Sequence, residues 1–161
     1  MRILVGKFPR TIDGKNRIQL PSELRAAIDP AQDGPGFFIT LGEYPHTLSI
    51  YPERYFEELA NRIETEYMPE DEPRRFELEF YMSARHMDID AQGRVVLPDD
   101  LRTQARLPDE VYLVGQKHRI EVWNREDLER TTAIDWEAGE WPQWPRYIRM
   151  RPGGAGKPTS G

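Results

Sequence analysis

The sequence predicts an α+β fold, mainly β with short helices, and three observations carry that prediction. Residues 13–25 (DGKNRIQLPSELR) recur 77 positions later as residues 90–102 (DAQGRVVLPDDLR). Six positions are identical, Asp13/Asp90, Arg17/Arg94, Leu20/Leu97, Pro21/Pro98, Leu24/Leu101 and Arg25/Arg102, so one supersecondary unit is used twice. Apolar residues fall mostly at strand period in short runs. The 14 prolines and 12 glycines among 161 residues cut those runs short.

Each copy reads in the same order. The Asp-x-x-x-Arg segment has turn chemistry, with Gly14 and Asn16 in the first copy and Gly93 in the second, because Gly and Asn tolerate positive φ. A strand follows directly, marked by Ile18 and Leu20 and by Val95, Val96 and Leu97. Pro21 or Pro98 ends it, and Ser22 or Asp99 suits the N-cap of a short helix carrying Leu24/Arg25 or Leu101/Arg102.

Two further strands follow in each copy, Phe37 to Leu41 with Thr47 to Tyr51, and Val111 to Val114 with Arg119 to Trp123. Gly42 and Gly115 are expected in the turns between them. A helix over Pro52 to Tyr67 is predicted with Pro52 at its first position and Phe56, Leu59, Ile63 and Tyr67 as an apolar stripe. Its counterpart begins near Asn124 and contains Leu128. Arg74 to Ala84 fits a helix or a strand; the favoured reading is a helix running into a strand near Met87 to Ile89. The expected organisation is a first module over 1–68, an acidic, proline-bounded linker over 69–76, a second module over 77–132, and a C-terminal extension over 133–161, largely a disordered tail.

Composition removes several function classes. With no cysteine there is no disulfide framework, thiolate metal site or cysteine nucleophile. No apolar run approaches the ~18 residues of a membrane helix, and Met1 to Phe8 lacks a signal-peptide core, so a cytoplasmic protein is expected. His46, His86 and His118 lie far apart in dissimilar contexts, which argues against a metal site. No catalytic constellation, cofactor motif or small-molecule substrate is indicated.

The net charge of −6 is unevenly spread. Residues 1–27 carry a balance of +4, whereas residues 53–79 carry −6. The basic charge therefore accompanies the first copy of the repeat.

An arginine just past a tight turn can project planar donors that match guanine O6 and N7. Lys15, two residues before Arg17, lies on the same side of an extended segment. Asp13 and Asp90 suit a structural part, closing each turn by accepting backbone N–H groups. The alternative is that Asp13/Arg17 and Asp90/Arg94 are surface pairs that only stabilise hairpins, worth about 0 to 1 kcal/mol. Arg25 and Arg102 suit the C-terminal dipole of their short helices.

Two copies of this turn, strand, Leu-Pro and helix pattern resemble the MraZ family, bacterial transcriptional regulators of the division and cell wall gene cluster. The resemblance spans roughly residues 1–132. It implies tandem AbrB-like swapped-hairpin modules in an intramolecular pseudo-dimeric double-split β-barrel, with several chains closing into a homo-oligomeric ring. It further implies a sequence-specific double-stranded DNA-binding protein, nucleoid-associated, that reads G-rich direct repeats through Lys15, Asn16 and Arg17 and through Gln92, Gly93 and Arg94. Asn16 departs from the family pattern, which has Gly there. The charge difference between Lys15 and Gln92 implies unequal contributions from the two loops. An AbrB-like protein-interaction scaffold with secondary or lost DNA binding is the alternative.

Overall fold

A computed structural model describes residues 2–65, 73–135 and 137–142. Residues 69–72 of the expected linker and most of the expected tail lie outside them. The first copy contributes β1 (Lys7–Thr11), β2 (Arg17–Gln19), α1 (Ser22–Ala26), α2 (Pro30–Asp33), β3 (Phe37–Leu41), β4 (Thr47–Pro52) and α3 (Glu53–Thr65). After it come α4 (Pro73–Ser83), β5 (Arg85–Met87), β6 (Arg94–Val96), α5 (Asp99–Gln104), β7 (Glu110–Gln116), β8 (Arg119–Asn124) and α6 (Arg125–Thr132).

The sheet order shows how the copies combine. Six strands run β1-β7-β8-β4-β3-β5, and β2 pairs with β6 in a separate ribbon. The order is palindromic with respect to the repeat: β1 corresponds to β5, β3 to β7, and β4 to β8. The opening strand of each copy pairs with the hairpin of the other, β1 on β7 and β5 on β3. The two β4 and β8 strands meet at the centre, where Ser49 faces Glu121. Both copies fill one core, in which Ile18, Leu20, Ile50, Val95, Leu97 and Ile120 are all buried.

The sheet is not closed into a barrel, contrary to the expectation. Among the described residues, β1 and β5 each pair on one side only and remain edges. The β2–β6 ribbon has three residues per strand. Pro21 and Pro98, just beyond it, lack the N–H groups that would extend the ladder. Pro9 within β1 fits an edge strand for the same reason.

Four local expectations also change. Pro21 and Pro98, rather than Ser22 and Asp99, occupy the N-cap positions of α1 and α5, with no side-chain cap. Their fixed φ already suits the helix entrance, which releases the Asp99 carboxylate to bond elsewhere. Pro52 ends β4, and α3 starts at Glu53; within the predicted stripe Phe56 is buried and Leu59 half-buried, while the Ile63 side chain and Tyr67 lie outside the described residues. Gly115 sits inside β7, where a Cβ would fall 2.4 Å from the Val5 backbone nitrogen, and Lys117, at φ 64°, makes the turn. Finally, the strand after α4 starts at Arg85, two residues before the expected Met87.

The helices after the central strands follow the expected plan. Asn124 caps α6 by accepting from the N–H groups of Glu126 and Asp127 at 2.9 and 3.4 Å. Leu128 is buried beneath it. On the other side Phe38 stacks on Phe56 at 4.3 Å and Phe56 on Phe80 at 5.4 Å, so α3 and α4 are tied to β3 by aromatic rings. Among the described residues helix α4 has no counterpart in the first copy, and it leaves Leu78 and Met82 exposed.

Candidate nucleic-acid interface

Each repeat folds its Asp-x-x-x-Arg segment into the same clamp. In the first, the N–H groups of Lys15 and Arg17 both donate to Asp13 Oδ1 at 2.9 Å, and Arg17 Nε donates to Asp13 Oδ2 at 2.7 Å. The turn closes through Asn16 N–H to the Asp13 carbonyl and Asp13 N–H to the Arg17 carbonyl, both at 3.0 Å. In the second, Gln92 and Arg94 N–H donate to Asp90 Oδ1 at 2.9 Å and Arg94 Nε to Asp90 Oδ2 at 2.8 Å. Asn16 at φ 58° and Gly93 at φ 79° occupy the same left-handed position, one that Asn and Gly adopt with least strain.

Backbone donation lowers both carboxyl pKa values. The Arg17 N–H bond is the largest influence on Asp13; desolvation opposes it, and the Arg17 guanidinium and Lys15 N–H add to it, holding the group at about 2. Asp90 is held down by the same set from Arg94 and Gln92. Both aspartates are thus ionised at neutral pH, and each fixes one edge of its arginine. In Arg17 the Nη1 and Nη2 edge is left for other partners, whereas in Arg94 Nη2 is already shared with Gln92 Oε1; that edge is the one a guanine or phosphate would meet.

The β2–β6 ribbon places the clamps side by side. Arg17 faces Val96, Ile18 faces Val95 and Gln19 faces Arg94. By strand alternation Ile18 and Val95 enter the core while Arg17, Gln19, Arg94 and Val96 share the outer face; Val96 is 54% exposed there. Beyond the ribbon, Leu20 N–H donates to the Gly93 carbonyl at 3.0 Å and Leu97 N–H to the Asn16 carbonyl at 2.8 Å. Each loop is therefore held by the strand of the other copy.

The predicted site residues differ in what they leave available. Lys15 is exposed, and no side-chain bond engages its ammonium among the described residues. Gln92 Oε1 accepts from Arg94 Nη2 at 3.4 Å, so it braces the arginine of its own loop. The Asn16 side chain is occupied: Nδ2 donates to Asp99 at 3.2 Å, and Oδ1 accepts from Arg102 Nη1 at 2.7 Å. Gly93 is buried and shapes its loop through backbone bonds alone.

Two participants were not singled out from sequence. Gln19 Nε2 donates to the Gln92 carbonyl at 2.6 Å, locking the second loop to the first strand. Arg10 Nε donates to the Gln19 carbonyl at 3.1 Å, bringing a further cation beneath the ribbon. Neither lies within the identical positions of the repeat, which was the signal available.

Other chemistry does not converge on this surface. Among the described residues no group of three or more His, Asp or Glu side chains gathers to hold a metal ion. His86 bonds Glu53 at 3.0 Å, and His118 stacks on Tyr55 at 4.7 Å. A concavity of about 770 Å³ is lined by Arg54, Tyr55, Glu58, Arg62 and His118 among others and includes no residue of either clamp. No helix of the described residues is long and apolar enough to cross a membrane.

Comparison with known proteins gives consistent matches. The MraZ protein family model, which carries an antitoxin-like description, matches residues 80–140. A protein of Desulforamulus reducens named transcriptional regulator MraZ is 30% identical over 131 residues, covering 81% of this chain and 88% of that protein. One of the same name from Moorella thermoacetica is 32% identical over 139 residues, covering 84% and 93%. A third, from Desulfitobacterium hafniense, is 32% identical over 123 residues, covering 76% and 82%. The alignments cover more than three quarters of the chain, whereas the family model falls on the second half.

Proposed function

The chain belongs to the MraZ family, and from that membership we propose that it is a sequence-specific double-stranded DNA-binding transcriptional regulator, not an enzyme. The observation that carries the reading is the pair of matched clamps, which hold Arg17 and Arg94 on one face of the β2–β6 ribbon, each by an Nε bond to its aspartate. Pinning Nε lowers the entropy lost when the guanidinium meets a bidentate acceptor. The DNA read is G-rich direct repeats at promoters of the division and cell wall gene cluster, and the protein works in the cytoplasm on the nucleoid.

One arginine discriminates a guanine by only about 1 to 3 kcal/mol, so several loops at matched spacing are required. A closed homo-oligomer would array them. The exposed Leu78 and Met82 of α4, 61% and 70% accessible, support self-association, since they are apolar surface that a monomer leaves in water.

Binding of the full chain to a duplex of tandem G-rich repeats, compared with a scrambled duplex, tests the reading. Arg17→Ala should weaken the repeat duplex by about tenfold or more and the scrambled duplex by less. Specific binding that survives both Arg17→Ala and Arg94→Ala would refute the loop assignment. The second reading, an interaction scaffold, is favoured by the net charge of −6. It predicts no mobility shift at any salt, whereas phosphate engagement predicts affinity that falls steeply as salt rises.

A further inference from the structure

The two crossing arginines occupy equivalent places in the repeat and have unequal partners. Arg102 on α5 reaches the first loop and is fully engaged: Nη1 donates to Asn16 Oδ1 at 2.7 Å, Nη2 to Asp109 at 2.5 Å and Nε to the Leu107 carbonyl at 3.3 Å. Arg25 on α1 reaches the second loop in the same way. A Cβ at Gly93 would lie 2.6 Å from its Cζ and Nη1, so the guanidinium rests directly against the Gly93 backbone. Arg25 is exposed, and among the described residues its guanidinium takes no hydrogen bond or ion pair.

The difference follows from the residue at the left-handed position. Asn16 offers an amide oxygen and captures the arginine that crosses to it. Gly93 offers no side chain, so Arg25 packs against the loop with its donors unspent. Asp90, the carboxylate nearest in the clamp, is already occupied by Arg94 Nε and two backbone N–H groups. The second loop also has Gln92 where the first has Lys15, so it lacks a cation of its own beyond Arg94.

We propose that Arg25, reaching over from the first copy, is the phosphate-binding cation of the second loop. The assignment rests on the DNA-binding reading. A planar guanidinium seated against backbone presents its N–H edge to a phosphodiester oxygen pair at little further entropic cost. Loop one thus carries its own cation in Lys15, and loop two borrows one through the crossing. Arg102, spent on Asn16 and Asp109, is a structural residue.

Fluorescence anisotropy of the full chain on labelled G-rich repeat and scrambled duplexes, over a salt series, tests this assignment. Arg25→Ala should weaken both duplexes by a similar factor, about tenfold at low salt, and make the slope of log K against log salt shallower by about one. Its thermal midpoint should stay at the wild-type value, and Arg25→Lys should restore the slope. Gly93→Asn, which places an amide where Asn16 has one, should reproduce most of the loss with Arg25 still present. Arg102→Ala should lower the thermal midpoint and leave the slope unchanged.

Wild-type affinity and slope in Arg25→Ala, with Arg17→Ala still impaired, would overturn the Arg25 assignment alone. A wild-type chain that binds neither duplex would overturn the DNA-binding reading and this assignment with it. If Arg25→Ala fails to fold, Arg25→Lys and Gly93→Asn decide: an unchanged slope in Gly93→Asn refutes the proposal.

Discussion

The two clamps have the same hydrogen bonds to within about 0.1 Å and different surroundings. In the first, Asn16 is tied to Asp99 and Arg102, and Lys15 is exposed. In the second, Gly93 is bare beneath Arg25, and Gln92 leans on Arg94. The aspartate therefore sets the shape of a loop, while the residue at positive φ sets what becomes of the arginine from the opposite copy. Duplication preserved the first device and let the second diverge.

The largest expected effects concern what the copies share. Leu20 and Leu97 are each fully buried in the common core, so Leu20→Ala and Leu97→Ala should each cost about 2 to 5 kcal/mol. Calorimetry should show one transition moving in both variants. Two separable transitions, or a cost confined to one copy, would break the picture of interleaved halves.

Next comes the left-handed position. Gly93→Ala meets a φ of 79° and a guanidinium 2.6 Å away, and strain at such a residue costs about 1 to 3 kcal/mol. Asn16→Gly relieves strain but loses the bonds to Asp99 and Arg102, so chemical denaturation should place it within about 1 kcal/mol of wild type. Equal costs at the two positions would remove the inequality.

A smaller change exchanges loop chemistry. Gln92→Lys gives the second loop the cation of the first and should steepen the salt dependence of DNA binding by about one counterion; Lys15→Gln should make it shallower by about the same amount. Unchanged slopes in both would show that neither position approaches phosphate.

The smallest effect is on pH dependence. A carboxyl whose pKa is depressed by folding contributes stability that is full above its unfolded value and fades as pH falls through the folded one. For Asp13 that window runs from 3.8 down to about 2, and Asp90 shifts in the same direction. Side-chain carbon shifts followed by NMR should titrate below the ordinary aspartate value in both loops. In Arg17→Ala, Asp13 should move back only partly toward it, because the backbone donors remain. Ordinary titration of either aspartate would mean that its clamp is open in solution.

Much of the candidate site was legible because its causes are local. An aspartate, a residue able to take positive φ and an arginine four places on from the aspartate form the clamp without help from distant chain. The strand marked by Ile18 and Leu20 is present as β2, with Ile18 buried at its centre and Leu20 buried just past its end. The Gly115 assignment failed because that glycine answers to Leu4 and Val5, more than a hundred residues away in sequence. Arg25 and Arg102, identical in type and in local context, could not be told apart from the sequence either. Their partners lie in the other copy.

The sequence by itself determined the duplicated unit, the turn chemistry, the short strands and helices, and the family, since each is written in neighbouring residues or in their recurrence. Only the tertiary structure decided that the sheet stays open, that each copy's first strand joins the other's hairpin, and that Arg102 is engaged where Arg25 is not. Those outcomes depend on which groups meet across the pseudo-symmetric crossing. There a single side chain, the amide of Asn16 against the bare backbone of Gly93, redirects a guanidinium.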